Sequence, residues 1–96
     1  MSIADLRRTY LGYANLSGAN LHGAKSRGAS LHDANLSSAN LSSANLENAD
    51  LHDADLHDAD LHSANLVDTD LSGTDLSRAN ISGAELLVEG VISFST

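Results

Sequence analysis

Ala34-Asn35-Leu36-Ser37-Ser38-Ala39-Asn40-Leu41-Ser42-Ser43-Ala44-Asn45-Leu46-Glu47-Asn48 writes one pentapeptide, Ala-(Asn/Asp)-Leu-x-x, three times over. The register extends in both directions without a slip, from Ala4 to Val88, as seventeen consecutive units. A period of five excludes both ordinary elements. On an α-helix each step of five advances the side chain by about 140°, so the leucines would spiral round every side and leave no apolar stripe. On a straight strand five is odd, so successive leucines would alternate between faces. A chain that bends in the same sense once per unit can turn every leucine toward a common axis, and such a chain winds into a solenoid.

The other positions agree. Two before each central residue stands alanine, with threonine at Thr9, Thr69 and Thr74 and nothing larger, which marks a crowded interior corner. Two after it stand turn formers such as Gly18, Gly28, Asp33, Ser38, Asn48 and Gly73. These tolerate left-handed backbone or bond their own main chain. One unit therefore offers two inward residues and three outward ones.

On these residues the chain resembles the pentapeptide-repeat family over about nine-tenths of its length. The resemblance implies an all-β fold, a right-handed quadrilateral parallel β-helix (solenoid) of about four coils, each of four pentapeptides. It implies a rod roughly 20 Å long at the usual strand spacing. The organisation expected is a lead-in at 1–3, the repeat at 4–88, and an apolar segment at 89–96.

Composition bounds the rest. Aromatics are only 3% against 42% hydrophobic residues, so the core is aliphatic. Cysteine is absent, which excludes disulfides and zinc-thiolate sites. Residues 1–3 are too short for a signal peptide, and no apolar run approaches a membrane span, so a soluble, cytoplasmic protein without membrane contact is expected. Net charge is −8 but uneven. Residues 1–30 hold Arg7, Arg8, Lys25 and Arg27 against Asp5, or +3. Residues 31–96 hold twelve acids against Arg78, or −11. That surface favours a basic partner over direct nucleic-acid binding. The acidic contact candidates are Asp50, Asp53, Asp55, Asp58, Asp60, Asp68, Asp70 and Asp75.

Two departures stand out. Ser26 occupies a leucine slot between Lys25 and Arg27, a core defect whose buried hydroxyl would cost about 1–3 kcal/mol without a partner. The tail abandons the repeat and is apolar; Leu87, Val88, Val91, Ile92 and Phe94 form either a cap or a homodimer interface. Tyr10 and Tyr13, outward beside Arg7 and Arg8, make a second contact patch.

His52, Asp53, Asp55, His57, Asp58, Asp60 and His62 are metal-ligand residue types. Yet residues five apart fall on different sides of a four-sided coil, so His52, His57 and His62 cannot share one ion. Neighbours in space are 20 apart. His32 stacks under His52, Asp50 under Asp70, and Asp55 under Asp75. The His32/His52 pair would take a metal only adventitiously; no resident metal or cofactor is expected. Stacked carboxylates about 5 Å apart should raise one another's pKa. His32 and His52, beside Asp33 and Asp53, should be biased toward protonation and form a pH-responsive pair. The serines lie beside no distinguished base, and the leucine interior offers no pocket, so no enzyme is expected. The functions weighed are a rigid scaffold or interaction module for an unidentified protein, a DNA mimic binding a type II topoisomerase and modulating quinolone sensitivity, and a self-assembling rod.

Overall fold

The computed structural model describes residues 3–86. The central residue of each unit donates its amide forward by 19 residues, as from Leu36 to the Asp55 carbonyl at 2.8 Å. The Asn/Asp position donates back, as from Asp55 to the Ala34 carbonyl at 2.9 Å. A third bond joins Ser38 to the His57 carbonyl at 2.9 Å. Parallel bridges therefore link residues 20 apart, from Asp5↔Lys25 to Asn65↔Glu85. Four pentapeptides make one layer, and the units stack into four columns. The first runs through Asp5, Lys25, Asn45, Asn65 and Glu85. The second runs through Tyr10, Ser30, Asp50 and Asp70, the third through Asn15, Asn35, Asp55 and Asp75, and the fourth through Asn20, Asn40, Asp60 and Asn80.

A tight turn closes each unit. Ala39 donates to the Leu36 carbonyl at 3.0 Å, and Ser38 between them has φ 58. A left-handed third residue is what a type II turn requires. Glycine, Asp, Asn and Ser fill most of these positions. Arg8 (φ 57), Tyr13 (φ 64) and Arg78 (φ 57) also adopt the conformation, though their side chains gain nothing from it locally.

The Asn/Asp position has a second task. Its side-chain oxygen accepts the amide two residues on: Asn35 from Ser37 at 3.0 Å, Asp50 from His52 at 3.1 Å, Asp70 from Ser72 at 3.0 Å. The bond pins the chain just before each turn.

The core is the leucine ladder lined by alanines. Leu31 through Leu66 and the alanines from Ala24 to Ala64 are 0–2% exposed. Each such leucine contributes about 2 kcal/mol of burial. The ladder loosens toward both ends of the described stack: Leu6, Leu11 and Leu16 are partly buried, and Ile81 and Leu86 are each 38% exposed. Thr69 and Thr74 keep the alanine corner by donating their buried hydroxyls to the Leu46 and Leu51 carbonyls, both at 2.7 Å. Ser26 is 1% exposed, and its hydroxyl has no partner among the described residues. The segment at 89–96 and the interface candidates Leu87, Val88, Val91, Ile92 and Phe94 lie outside the described residues.

Candidate functional site

The columns sort the acids by side. Asp50, Asp53 and Asp70 fall in the second column, and Asp55, Asp58 and Asp75 in the adjacent third. Asp33 joins the second as a seventh member that the sequence reading did not place in the acidic set. Asp60 stands apart in the fourth column and Asp68 in the first. Among the described residues Arg78 is the lone arginine or lysine in these two columns, and it is tied to Asp58, Nε to Oδ1 at 3.1 Å. The early positive charges are equally segregated. Arg7, Arg8, Lys25 and Arg27 all belong to the first column, where Arg7 pairs with Asp5 and Arg27 with Glu47. The charge imbalance along the sequence is thus also an imbalance around the molecule.

Within the acidic corner the histidines have specific partners. His52 Nδ1 lies 2.6 Å from Asp50 Oδ1, and His57 Nδ1 lies 2.6 Å from Asp55 Oδ1. The turn bond that brings each Asp to the histidine amide also delivers its carboxylate to the ring. These hydrogen bonds raise the pKa of both histidines above the ordinary value; partial desolvation opposes them, and the neighbouring carboxylates add to them. The main partner of His52 is Asp50 and not the adjacent Asp53. His57 was not foreseen. Its signal was present in the spacing Asp55-Leu56-His57, identical to Asp50-Leu51-His52.

The stacked carboxylates correct a second expectation. Mutual repulsion was to raise their pKa values, yet Asp70 and Asp75 are lowered. The hydroxyl and amide of Ser72 both donate to Asp70, at 2.7 and 3.0 Å, and those of Ser77 to Asp75, at 2.6 and 2.9 Å. Two donors aimed at one oxygen outweigh the partial desolvation of each carboxylate, and the nearby His52 and His57 lower them further.

The rings of His32 and His52 stack at 5.1 Å with planes 8° apart, and the Tyr13 ring meets His32 edge-on at 5.4 Å. Tyr13 thus belongs to the second column, while the arginines it was grouped with belong to the first. Among the described residues three sets could each hold a cation: His32, Asp33 and His52; Asp50, His52 and Asp70; and Asp55, His57 and Asp75. His52, His57 and His62 fall in three separate columns, as the period of five requires.

The family model for pentapeptide repeats matches the chain in eight copies, over residues 4–37, 14–53, 29–66 and 54–86. Among solved structures, HetL, a pentapeptide repeat protein involved in heterocyst differentiation regulation in the cyanobacterium Nostoc sp. strain PCC 7120, is 44% identical with a TM-score of 0.68, covering 85% of this chain and 42% of its own. A pentapeptide repeat protein of the Arabidopsis thaliana thylakoid lumen is 29% identical with a TM-score of 0.65, covering 96% and 59%. A third, from the cyanobacterium Cyanothece 51142, is 37% identical with a TM-score of 0.52, covering 85% and 59%. The chain spans roughly two-fifths to three-fifths of the length of these relatives. No curated protein matches it significantly.

Proposed function

The chain belongs to the pentapeptide-repeat family, and from that premise we propose that it is a non-catalytic, rigid interaction module whose contact surface is the acidic corner of the second and third columns. Its fold on this reading is the right-handed quadrilateral β-helix of the family. The 20-residue spacing of the parallel bridges and the likeness to HetL support it. Repeat proteins of this kind serve mainly as structural or binding elements, because the stacked core leaves only the outside for chemistry.

One observation carries the choice of surface. Seven carboxylates stand on two adjacent sides with a single arginine, already paired with Asp58. Main-chain amides hold four of them, Asp50, Asp55, Asp70 and Asp75, so a partner binding there loses less entropy in ordering them. Such a field attracts a basic protein, and it weakens with salt as the screening length shortens to about 10 Å at 0.1 M. The test is a pull-down from native lysate with the wild type and with the fourfold variant Asp50→Asn, Asp53→Asn, Asp55→Asn, Asp58→Asn. A basic protein retained at low salt by the wild type and lost from the variant supports the reading. Equal retention by both overturns it.

Mimicry of duplex DNA has less support. Phosphates wind round every side of a duplex. Here seven of the acids gather on two sides, and the first column carries Arg7, Arg8, Lys25 and Arg27 among its acids. Absence of inhibition in a gyrase supercoiling assay at micromolar protein would discard it.

A further inference from the structure

We propose that the second column binds a divalent transition-metal ion of the zinc class, held by His32, Asp33 and His52 across two layers. Each of the three offers a donor atom, and these atoms all lie within 4.8 Å of one another. Donors on one tetrahedral zinc stand about 3.3 Å apart, given bond lengths of about 2.0–2.1 Å. The gap closes by rotating side chains that are only half-buried. Two imidazoles and a carboxylate suit zinc, cobalt or nickel better than calcium or magnesium, which prefer oxygen alone.

Three features of the column favour this use. First, the His52 ring already has a carboxylate outside the ligand set at Nδ1, that of Asp50 at 2.6 Å. The Asp50 contact has the form of the outer-shell bond that orients metal-binding histidines. Second, His32 lies over Gly12, where a Cβ would meet its Nε2 at 2.6 Å. The bare backbone at residue 12 lets the ring settle beneath His52. Third, Asp70 rises from the following layer to within reach of His52 and Asp50, adding negative charge beside the ion. The third column supplies an internal comparison. Asp55, His57 and Asp75 repeat the Asp50, His52 and Asp70 set, but Ser37 stands below His57 where His32 stands below His52. In the fourth column His62 turns to Ser82 at 3.1 Å.

The test is calorimetric titration of the full chain with zinc chloride at pH 7.5, with cobalt absorption as a report on coordination. A single tight site is expected. His32→Ala and His52→Ala should each weaken it at least tenfold, while His57→Ala and His62→Ala leave it within twofold. Gly12→Ala, whose backbone is not left-handed, keeps every ligand and should still weaken binding by displacing His32. Affinity should fall from pH 7.5 to pH 6, because the ion must displace protons from the rings. Equal losses in all four histidine variants would mean diffuse attraction to an acidic surface and would overturn the proposal. So would a pH-independent affinity, which places the ion on carboxylates alone, or no saturable binding. Circular dichroism of each variant distinguishes loss of the site from loss of the fold.

Discussion

Replacing Ser26 by leucine should make the protein considerably more stable. Ser26 is 1% exposed in the first column, between Leu6 and Leu46 of the layers on either side, and its hydroxyl lacks a partner among the described residues. Removing an orphaned buried hydroxyl recovers about 1–3 kcal/mol. Filling the slot with a leucine side chain adds about 1.5–3 kcal/mol of burial. Against this stands a packing cost of about 1–3 kcal/mol if the neighbours have closed over the missing volume. A net gain of about 2 kcal/mol results, which for a domain of this size corresponds to about 8–16 °C in melting temperature. Thermal unfolding followed by circular dichroism measures it, and Ser26→Ala separates the two contributions: it removes the hydroxyl without adding volume and should gain about 1 kcal/mol. A fall in melting temperature for Ser26→Leu together with no change for Ser26→Ala would refute the reasoning, because the hydroxyl would then be neither orphaned nor beside unfilled space.

Thr74→Val removes a buried hydroxyl that is satisfied, donated to the Leu51 carbonyl at 2.7 Å, and should cost about 0.5–1.5 kcal/mol in urea unfolding; a gain would mean the bond contributes nothing. Gly73→Ala places a Cβ at φ +69 and against the Asp53 carboxylate, and a loss of about 1 kcal/mol or more is expected by the same measurement. Stability should peak between about pH 4 and pH 6.5. His52 and His57 bind protons more tightly when folded, so their contribution is complete below the unfolded value of 6.5 and is lost as pH rises through their higher folded values. Asp70 and Asp75 bind protons less tightly when folded, so theirs is complete above 3.8 and is lost as pH falls through their lower folded values. Melting temperatures across pH 3–9 trace this profile, and NMR titration placing His52 and His57 at or below 6.5 would contradict its upper limb.

Much of the architecture was legible because each inward position tolerates one size. Leucine at the centre and alanine or threonine two before it announce an interior that repeats, and the burial of Leu31 through Leu66 follows from that pattern. The stacking of His32 on His52 was legible too, since it needs only the count of twenty. The work of Asn and Asp was not. The short side chain is there to accept the amide two residues on, as Asn35 and Asp50 do, which Tyr10, Lys25 and Ser30 cannot do in the same way. Missing that bond concealed Asp50 as the partner of His52 and the matching pair of Asp55 and His57. The acidic corner was hidden for another reason. A charge count along the chain adds up residues on opposite sides, and only assignment to columns separates Asp60 and Asp68 from the other six and recruits Asp33.

The count of twenty also governs how such a chain can change. Nearly every unit presents alanine and leucine to the inside, the exceptions being Thr9, Thr69, Thr74, Ser26 and Ile81, so losing five residues would leave the interior largely intact. It would nevertheless rotate everything downstream by one side, bringing Asp75 to the place of Asp70 above Asp50 and breaking the register between the layers before and after the cut. Losing twenty would remove a layer and preserve every column. The interior has a reading frame of five and the exterior a frame of twenty, so insertions and deletions in fives can reshuffle the outer surface while the core stays the same.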